Sequence, residues 1–256
     1  MSNIANAFIN GKAFIGFVTA GDPTLAKTQE FIIAMEKAGA DLIEIGIPFS
    51  DPVAEGEVIQ KANIRALAQQ TTLGKIFGTV KSIRMKTQIP LVFLTYLNPV
   101  FIYGYERFFD ACKISGVDGV IIPDMPFEEK QELSSFAKKY DVDIISLIAP
   151  TSEHRIEMIA KEATGFVYCV SSMGVTGMRS EFKTDVESTV RAIKSATNIP
   201  VAIGFGISTP EQANEFSRYA DGIIVGSAIV KIIEKHGEDS TSYIFEYVSK
   251  MKEAIR

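Results

Sequence analysis

The sequence predicts an α/β fold: a closed barrel of eight parallel strands, each followed by a helix, the (β/α)8 TIM barrel with extra helices. Three observations carry this expectation. Eight short runs that are apolar on both faces recur along the chain. An amphipathic stretch follows each of them. The 256 residues match the ~250 that such a barrel typically takes. Strands that are apolar on both faces need cover on both, which parallel sheets obtain from their crossover helices. An open doubly wound sheet is the rival, and eight units at this length favour closure. No low-complexity stretch or linker-like shift in composition divides the sequence, so residues 1–256 are expected to form a single domain.

In chain order, the first strand is FIGFVTA (14–20), followed by a helix over 24–38 that ends where Gly39 lets the chain reverse. LIEIG (42–46) follows, then helices over 58–70 and 72–86, LVFLTY (91–96), and a helix over 105–115 that stops at Gly116. GVIIPD (119–124) precedes a helix over 128–140, and DIISLIA (143–149) precedes one over 153–162, for which Ser152 offers a cap. GFVYCVS (165–171) leads to a helix over 184–196. VAIGFG (201–206) leads to one over 209–217, with Thr209 as cap and Pro210 in the first turn. GIIVG (222–226) leads to helices over 227–236 and 240–254.

The chain is 46% hydrophobic and 22% charged, enough apolar residue for a substantial core. Its longest apolar runs fall well short of the ~18–20 residues of a membrane span, and the N-terminus lacks the basic and apolar regions of a secretion signal. A soluble, cytoplasmic protein is expected. Cys112 and Cys169 show neither a disulfide framework nor metal spacing and read as small buried residues. A net charge of −5 and a pI near 5.3 argue against general nucleic-acid binding. An anionic substrate remains open if backbone amides receive it.

Barrels of this kind place their active site at the C-terminal ends of the strands. Glu44, near the end of the second strand, is therefore the first candidate: a carboxylate in that interior must be paired, protonated or used. Asp51, Glu55 and Glu57 lie in the loop above it, where acids are commonly just solvated. After strands seven and eight, GFGIST (204–209) and VGSAIV (225–230) supply Gly204, Gly206, Gly226 and Ser227 at the usual phosphate position of such barrels. MGVTG (173–177) after strand six is a further contributor. Phe17, Phe49, Tyr96, Tyr168 and Phe205 either hold a flat apolar group or pack.

No strand end offers a lysine for an imine, and His154 and His236 sit in helical segments away from the mouth. What remains is carboxylate acid/base chemistry on a phosphorylated small molecule.

GFVTAGDP (16–23), ADLIEIGIPFSDPVAEG (40–56), LTYLNPVF (94–101), GVDGVIIPDMPFEE (116–129), SSMGVTG (171–177), GFGIST and DGIIVGSAIVKIIE (221–234) resemble, in order and over nearly the whole chain, the alpha subunits of tryptophan synthase. The resemblance implies a lyase of tryptophan biosynthesis that cleaves indole-3-glycerol phosphate to indole and glyceraldehyde 3-phosphate. It implies Glu44 as the proton shuttle and Glu55 as the second acid, acting at the indole nitrogen. Phe17, Tyr168 and Thr176 match the substrate pocket, and Gly177, Gly206, Gly226 and Ser227 match the phosphate site. Residues 48–57 and 173–183 resemble mobile lids. The implied partner is the beta subunit, in an alpha2beta2 tetramer. No cofactor is expected in this chain, since pyridoxal phosphate belongs to the beta subunit, and no metal is expected.

Where the family reads ADGP this chain reads AEGE, so Glu55 is one methylene longer than the usual acid and Glu57 replaces a proline. Two other readings stand beside this one: a catalytically weak regulatory subunit of the beta partner, and a related phosphate-binding barrel isomerase or synthase.

Overall fold

The computed structural model describes residues 3–150, 153–170, 179–204 and 206–256, with backbone alone at 153 and 179–185. The chain runs β1 (Ala13–Thr19), α1 (Leu25–Lys37), β2 (Leu42–Gly46), α2 (Glu57–Ala68), α3 (Leu73–Arg84), β3 (Leu91–Leu94), α4 (Leu97–Tyr103) and α5 (Tyr105–Ser115). It continues through β4 (Gly119–Ile121), α6 (Gln131–Tyr140), β5 (Asp143–Ile144), β6 (Ser146–Ile148), α7 (Glu153–Lys161) and β7 (Val167–Val170). The last elements are α8 (Arg179–Ala196), β8 (Val201–Gly204), α9 (Pro210–Ser217), β9 (Gly222–Val225), α10 (Ser227–His236) and α11 (Ser240–Ala254).

All strand pairings are parallel, in the order β5-β4-β3-β2-β1-β9-β8-β7-β6. The two ends of that order are the halves of the predicted fifth strand, interrupted at Ile145, so the ring closes through one broken strand. β5 pairs with β4, β6 pairs with β7, and the Ile145 N–H still donates to the Val120 carbonyl. The barrel is thus a TIM barrel.

Side-chain alternation divides the core in two. Ile15, Leu42, Val92, Ile121, Ala202 and Ile224 fill the barrel, while Phe14, Ile43, Phe93, Val120, Ile203 and Ile223 meet the helices outside it. Two elements go beyond the sequence expectation. Helix α4 contains Pro99 in its first turn, a position that tolerates proline but reads as a loop. A short 3-10 helix, Asn3–Phe8, buries Ile4 and Ala7 under the barrel and packs Phe8 on Phe166 with ring centroids 5.9 Å apart. α8 begins earlier than expected, so residues 179–183 of the second supposed lid are helical.

Thr209 caps α9 through the Gln212 N–H in a complete capping box, as its sequence suggests, and Gly39 and Gly116 turn the chain at positive φ. The Ser152 cap lies outside the described residues.

At the N-terminal ends of the strands, three aspartates repeat one device. Asp41, Asp118 and Asp221 each immediately precede a strand and accept the backbone N–H of the neighbouring strand's Phe14, Leu91 or Val201, at 2.7, 2.9 and 2.9 Å. Each also pairs with a cation, respectively Lys252, Arg84 and Lys194. Register is therefore pinned at the end of the barrel opposite the mouth. Among the described residues, no helix is long and apolar enough to cross a membrane.

Ile4 is fully buried, its Cδ1 lying against Gly119 and Gly165. Ile4→Ala is expected to lower unfolding free energy by about 2–4 kcal/mol, read from urea titration. A loss below about 0.5 kcal/mol would show that the plug does not close the core.

Candidate active site

Glu44 stands in β2 between Ile43 and Ile45, which face the helices, so alternation turns its carboxyl into the barrel. Phe17 of β1 and Val92 of β3 are its register partners. The residue is 1% exposed, and Oε2 has no hydrogen-bond partner among the described residues. Burial first, and the nearby Glu55 carboxylate second, push its pKa up to about 8. A carboxyl in that range is mostly protonated at neutral pH and can both give and take a proton there.

Beyond Gly46 the chain loops over the mouth and enters α2 at Gly56. Phe49 packs on Tyr96 with centroids 5.3 Å apart, and the Ala54 N–H donates to the Tyr96 hydroxyl at 3.1 Å. Glu55 is half-buried. Asn63 Nδ2 donates to Glu55 Oε2 at 2.7 Å, and Gln60 Nε2 donates to the Glu55 carbonyl at 2.7 Å. Burial raises the Glu55 pKa, and the Asn63 hydrogen bond opposes that rise without cancelling it.

Asn63 escaped the sequence reading. Its signal is a lone polar residue in the buried stripe Ile59, Ala62, Ala66 of α2, where an unsatisfied amide would be costly.

The other acids of this segment go elsewhere. Asp51 is exposed beside Ser50. Glu57 opens α2, where a negative charge suits the helix dipole, and pairs with Lys61 at 2.8 Å on the surface.

Phe17 and Tyr168 are both buried on the inner side, each over a glycine. A Cβ on Gly46 would lie 2.6 Å from the Phe17 ring, and one on Gly204 would lie 2.3 Å from the Tyr168 hydroxyl. The expectation that Gly204 opens the backbone to a ligand is thereby corrected: Tyr168 fills that space.

Gly206 does adopt the left-handed region, at φ +76. Gly226 precedes α10 and touches Phe17, and Ser227 is the exposed first residue of the helix. No side chain caps α10, in contrast to α9. Thr176, Gly177 and Phe205 lie outside the described residues, as does 173–177 as a whole.

His154 is exposed, and His236 stacks on Tyr243 with centroids 3.7 Å apart, so neither approaches the mouth. Cys112 and Cys169 are fully buried, as expected of small apolar residues. Among the described residues, no cluster of His, Cys, Asp and Glu has the arrangement of a metal site.

A family model described as tryptophan synthase alpha chain matches residues 5–256. The tryptophan synthase alpha chain of Lacticaseibacillus casei is 49% identical over 255 residues, covering 100% of this chain and 96% of that one. That of Alkaliphilus metalliredigens is 50% identical over 244 residues, covering 95% and 91%. Among solved structures, tryptophan synthase subunit alpha of Legionella pneumophila superposes with a TM-score of 0.91 at 34% identity, over 100% of this chain and 98% of that one. A Pyrococcus furiosus chain, from work on mutual activation of the tryptophan synthase a2b2 complex, gives 0.88 at 36% identity over 95% and 99%.

Glu44 titrates at about 8 in the folded chain against an ordinary 4.5. Its contribution to stability is complete below the lower value and is withdrawn as pH rises through that window, because the unfolded chain releases the proton that the folded chain keeps. Glu44→Gln is therefore expected to melt higher than wild type by a margin that grows between pH 5 and pH 8, reaching a few kcal/mol. A constant margin across that range would show that Glu44 is ionised inside the barrel.

Proposed function

Because the chain belongs to the tryptophan synthase alpha chain family, and so catalyses cleavage of indole-3-glycerol phosphate, a carbon–carbon lyase reaction of tryptophan biosynthesis, we propose that Glu44 and Glu55 carry that cleavage between them. The observation behind this reading is the contrast in their surroundings: one carboxyl buried, with no partner at Oε2 among the described residues, the other half-buried and holding a hydrogen bond from Asn63 that favours its anion. Two carboxyls whose environments push their protonation states apart make an acid and a charge-stabilising base.

In this scheme the Glu44 carboxylic acid gives its proton to carbon 3 of the indole ring. The ring nitrogen becomes cationic, and the Glu55 carboxylate faces that charge. Glu44, now a carboxylate, takes the proton of the adjacent glycerol hydroxyl. As the aldehyde forms, the carbon–carbon bond breaks and its electrons return to the ring. Indole and glyceraldehyde 3-phosphate result, and Glu44 ends protonated as it began. The ring serves as the electron sink, so the scheme calls for no cofactor in this chain.

Phe17 and Tyr168, with Thr176, are assigned to the walls of the indole pocket. The phosphate is assigned to the uncapped start of α10 at Gly226 and Ser227, together with Gly206 and Gly177. Free helix N–H groups there suit an anion without any lysine or arginine.

A tryptophan synthase beta subunit is the proposed partner, in an alpha2beta2 assembly that supplies the pyridoxal phosphate. The exposed apolar side chains of Val53, Phe101 and Ile102, on the loop over β2 and on α4, support docking at the mouth. One continuous sheet supports reading residues 1–256 as one domain, and the cytoplasm is the proposed compartment.

The test is indole release from indole-3-glycerol phosphate, with and without a beta subunit. Glu44→Gln is expected to lose at least about a hundredfold in turnover. Glu55→Gln should lose at least about tenfold and Glu55→Asp should retain activity. Full activity in Glu44→Gln removes the proton shuttle from this scheme, and full activity in Glu55→Gln removes the second acid. A wild-type chain that binds and activates the beta subunit but releases no indole would favour a regulatory role.

A further inference from the structure

Resting on the reading of Glu55 as the second acid, we propose that Asn63 is a positioning residue for it: its side-chain amide, delivered from α2, fixes the carboxylate of an acid that stands on a loop and not on a strand. Asn63 is 3% exposed, and its Nδ2 lies 2.7 Å from Glu55 Oε2. An ionised carboxylate can only accept, so the amide meets it with its donor end. The grip is on one oxygen, and the other is left for the ring nitrogen of the substrate.

The main chain around Glu55 is already fixed on both sides. The Ala54 N–H donates to the hydroxyl of the buried Tyr96 at 3.1 Å, and Gln60 Nε2 donates to the Glu55 carbonyl at 2.7 Å. What stays loose is the side chain, since glutamate has one more rotatable bond than aspartate. A carboxylate that wanders by about an ångström can cost on the order of a hundredfold in rate, so that freedom must be removed. Asn63 removes it. It stands three residues beyond Gln60, on the same face of α2, and both side chains reach back to the residue just before the helix start.

The helix that carries this amide is itself held firmly. Ile59 and Ala62 pack with Phe17 of β1 and Val230 of α10. Arg65, two residues beyond Asn63, grips the buried Asp22 with two prongs of 2.8 Å each and reaches Glu234 of α10 at 3.6 Å. β1 is also the strand whose Phe17 stands in register with Glu44, so one frame fixes both acids.

Among titratable groups, Glu44 of β2 and Tyr96 after β3 face Glu55, while Glu57 and Lys61 of α2 neutralise one another at the surface. Burial opposes the Glu55 anion, and the Asn63 hydrogen bond favours it.

Asn63→Leu keeps the size of the side chain in its apolar setting and removes the donor. The acid limb of the kcat/KM profile for indole release, measured with the beta subunit, is expected to move up by about one pH unit, as loss of a hydrogen bond to a charged group implies. Above the limb, kcat should stay about threefold or more below wild type with KM little changed, because a loosely held carboxylate meets the ring charge only part of the time. In a Glu55→Gln background Asn63→Leu should change neither limb nor kcat.

A second readout leaves position 63 intact. In the 1H–15N spectrum of the chain alone, the Asn63 side-chain amide should shift with the titration of the Glu55 carboxyl, and Glu55→Gln should abolish that shift. An unmoved limb in Asn63→Leu overturns the proposal, whatever happens to melting temperature, and so does an amide signal that ignores the Glu55 titration. Full activity in Glu55→Gln sinks the second-acid reading itself, whereas an impaired Glu55→Gln beside an unmoved limb in Asn63→Leu sinks only the role of Asn63.

Discussion

A carboxyl group buried beside a second carboxyl is the constraint on which the rest of this site depends. Glu44 sits inside a barrel packed largely with aliphatic and aromatic side chains, where holding two negative charges together is costly. One proton must stay in the barrel, and the structure decides where it stays. Glu44 is fully buried with no partner at Oε2 among the described residues, which favours its keeping the proton; Glu55 has Asn63 and partial access to water, which favour the anion there. The asymmetry comes from placement alone, one acid within a strand and one on the loop above.

That asymmetry requires a frame that does not move. The three aspartates at the strand starts supply it on the closed side, joining six of the nine strand segments among the described residues in pairs through backbone N–H groups. Each also ties a helix to the sheet through its cation, as with Lys252 of α11 and Arg84 of α3. At the mouth, Gly46 and Gly204 leave room that Phe17 and Tyr168 occupy. Rigidity is concentrated opposite the chemistry, and the mouth is shaped mainly by which positions lack a side chain.

The barrel was legible because parallel strands covered on both sides must be apolar on both sides, a pattern that survives without any knowledge of contacts. Glu44 was legible for the complementary reason, as an acid that breaks such a run. Local readings failed where tertiary contacts set the conformation. Pro99 disguised α4, and the fifth strand changes neighbours at Ile145, which no periodicity announces. Gly204 looked like a ligand position because a glycine does not say whether its empty space faces a substrate or a ring. Asn63 is the reverse case: its place among Ile59, Ala62 and Ala66 was visible, but its partner, eight residues back on a loop, was not. The aspartate repeat at 41, 118 and 221 could also have been read, since each stands directly before an apolar run.

The plug formed by Asn3–Phe8 has a consequence for the order in which the chain can be completed on the ribosome. Ile4 and Ala7 are made well before the surfaces that bury them, which include Phe166 and Ile224, and β1 pairs with β9. Lys12 likewise donates to the carbonyl of Ala220. At about 5–20 residues per second, those surfaces emerge on the order of ten seconds or more after the plug. Throughout that interval the Asn3–Phe8 segment lacks part of its cover, and the ring cannot shut before β9 has been made. The growing chain therefore carries an early apolar segment open to misassociation until its later strands arrive.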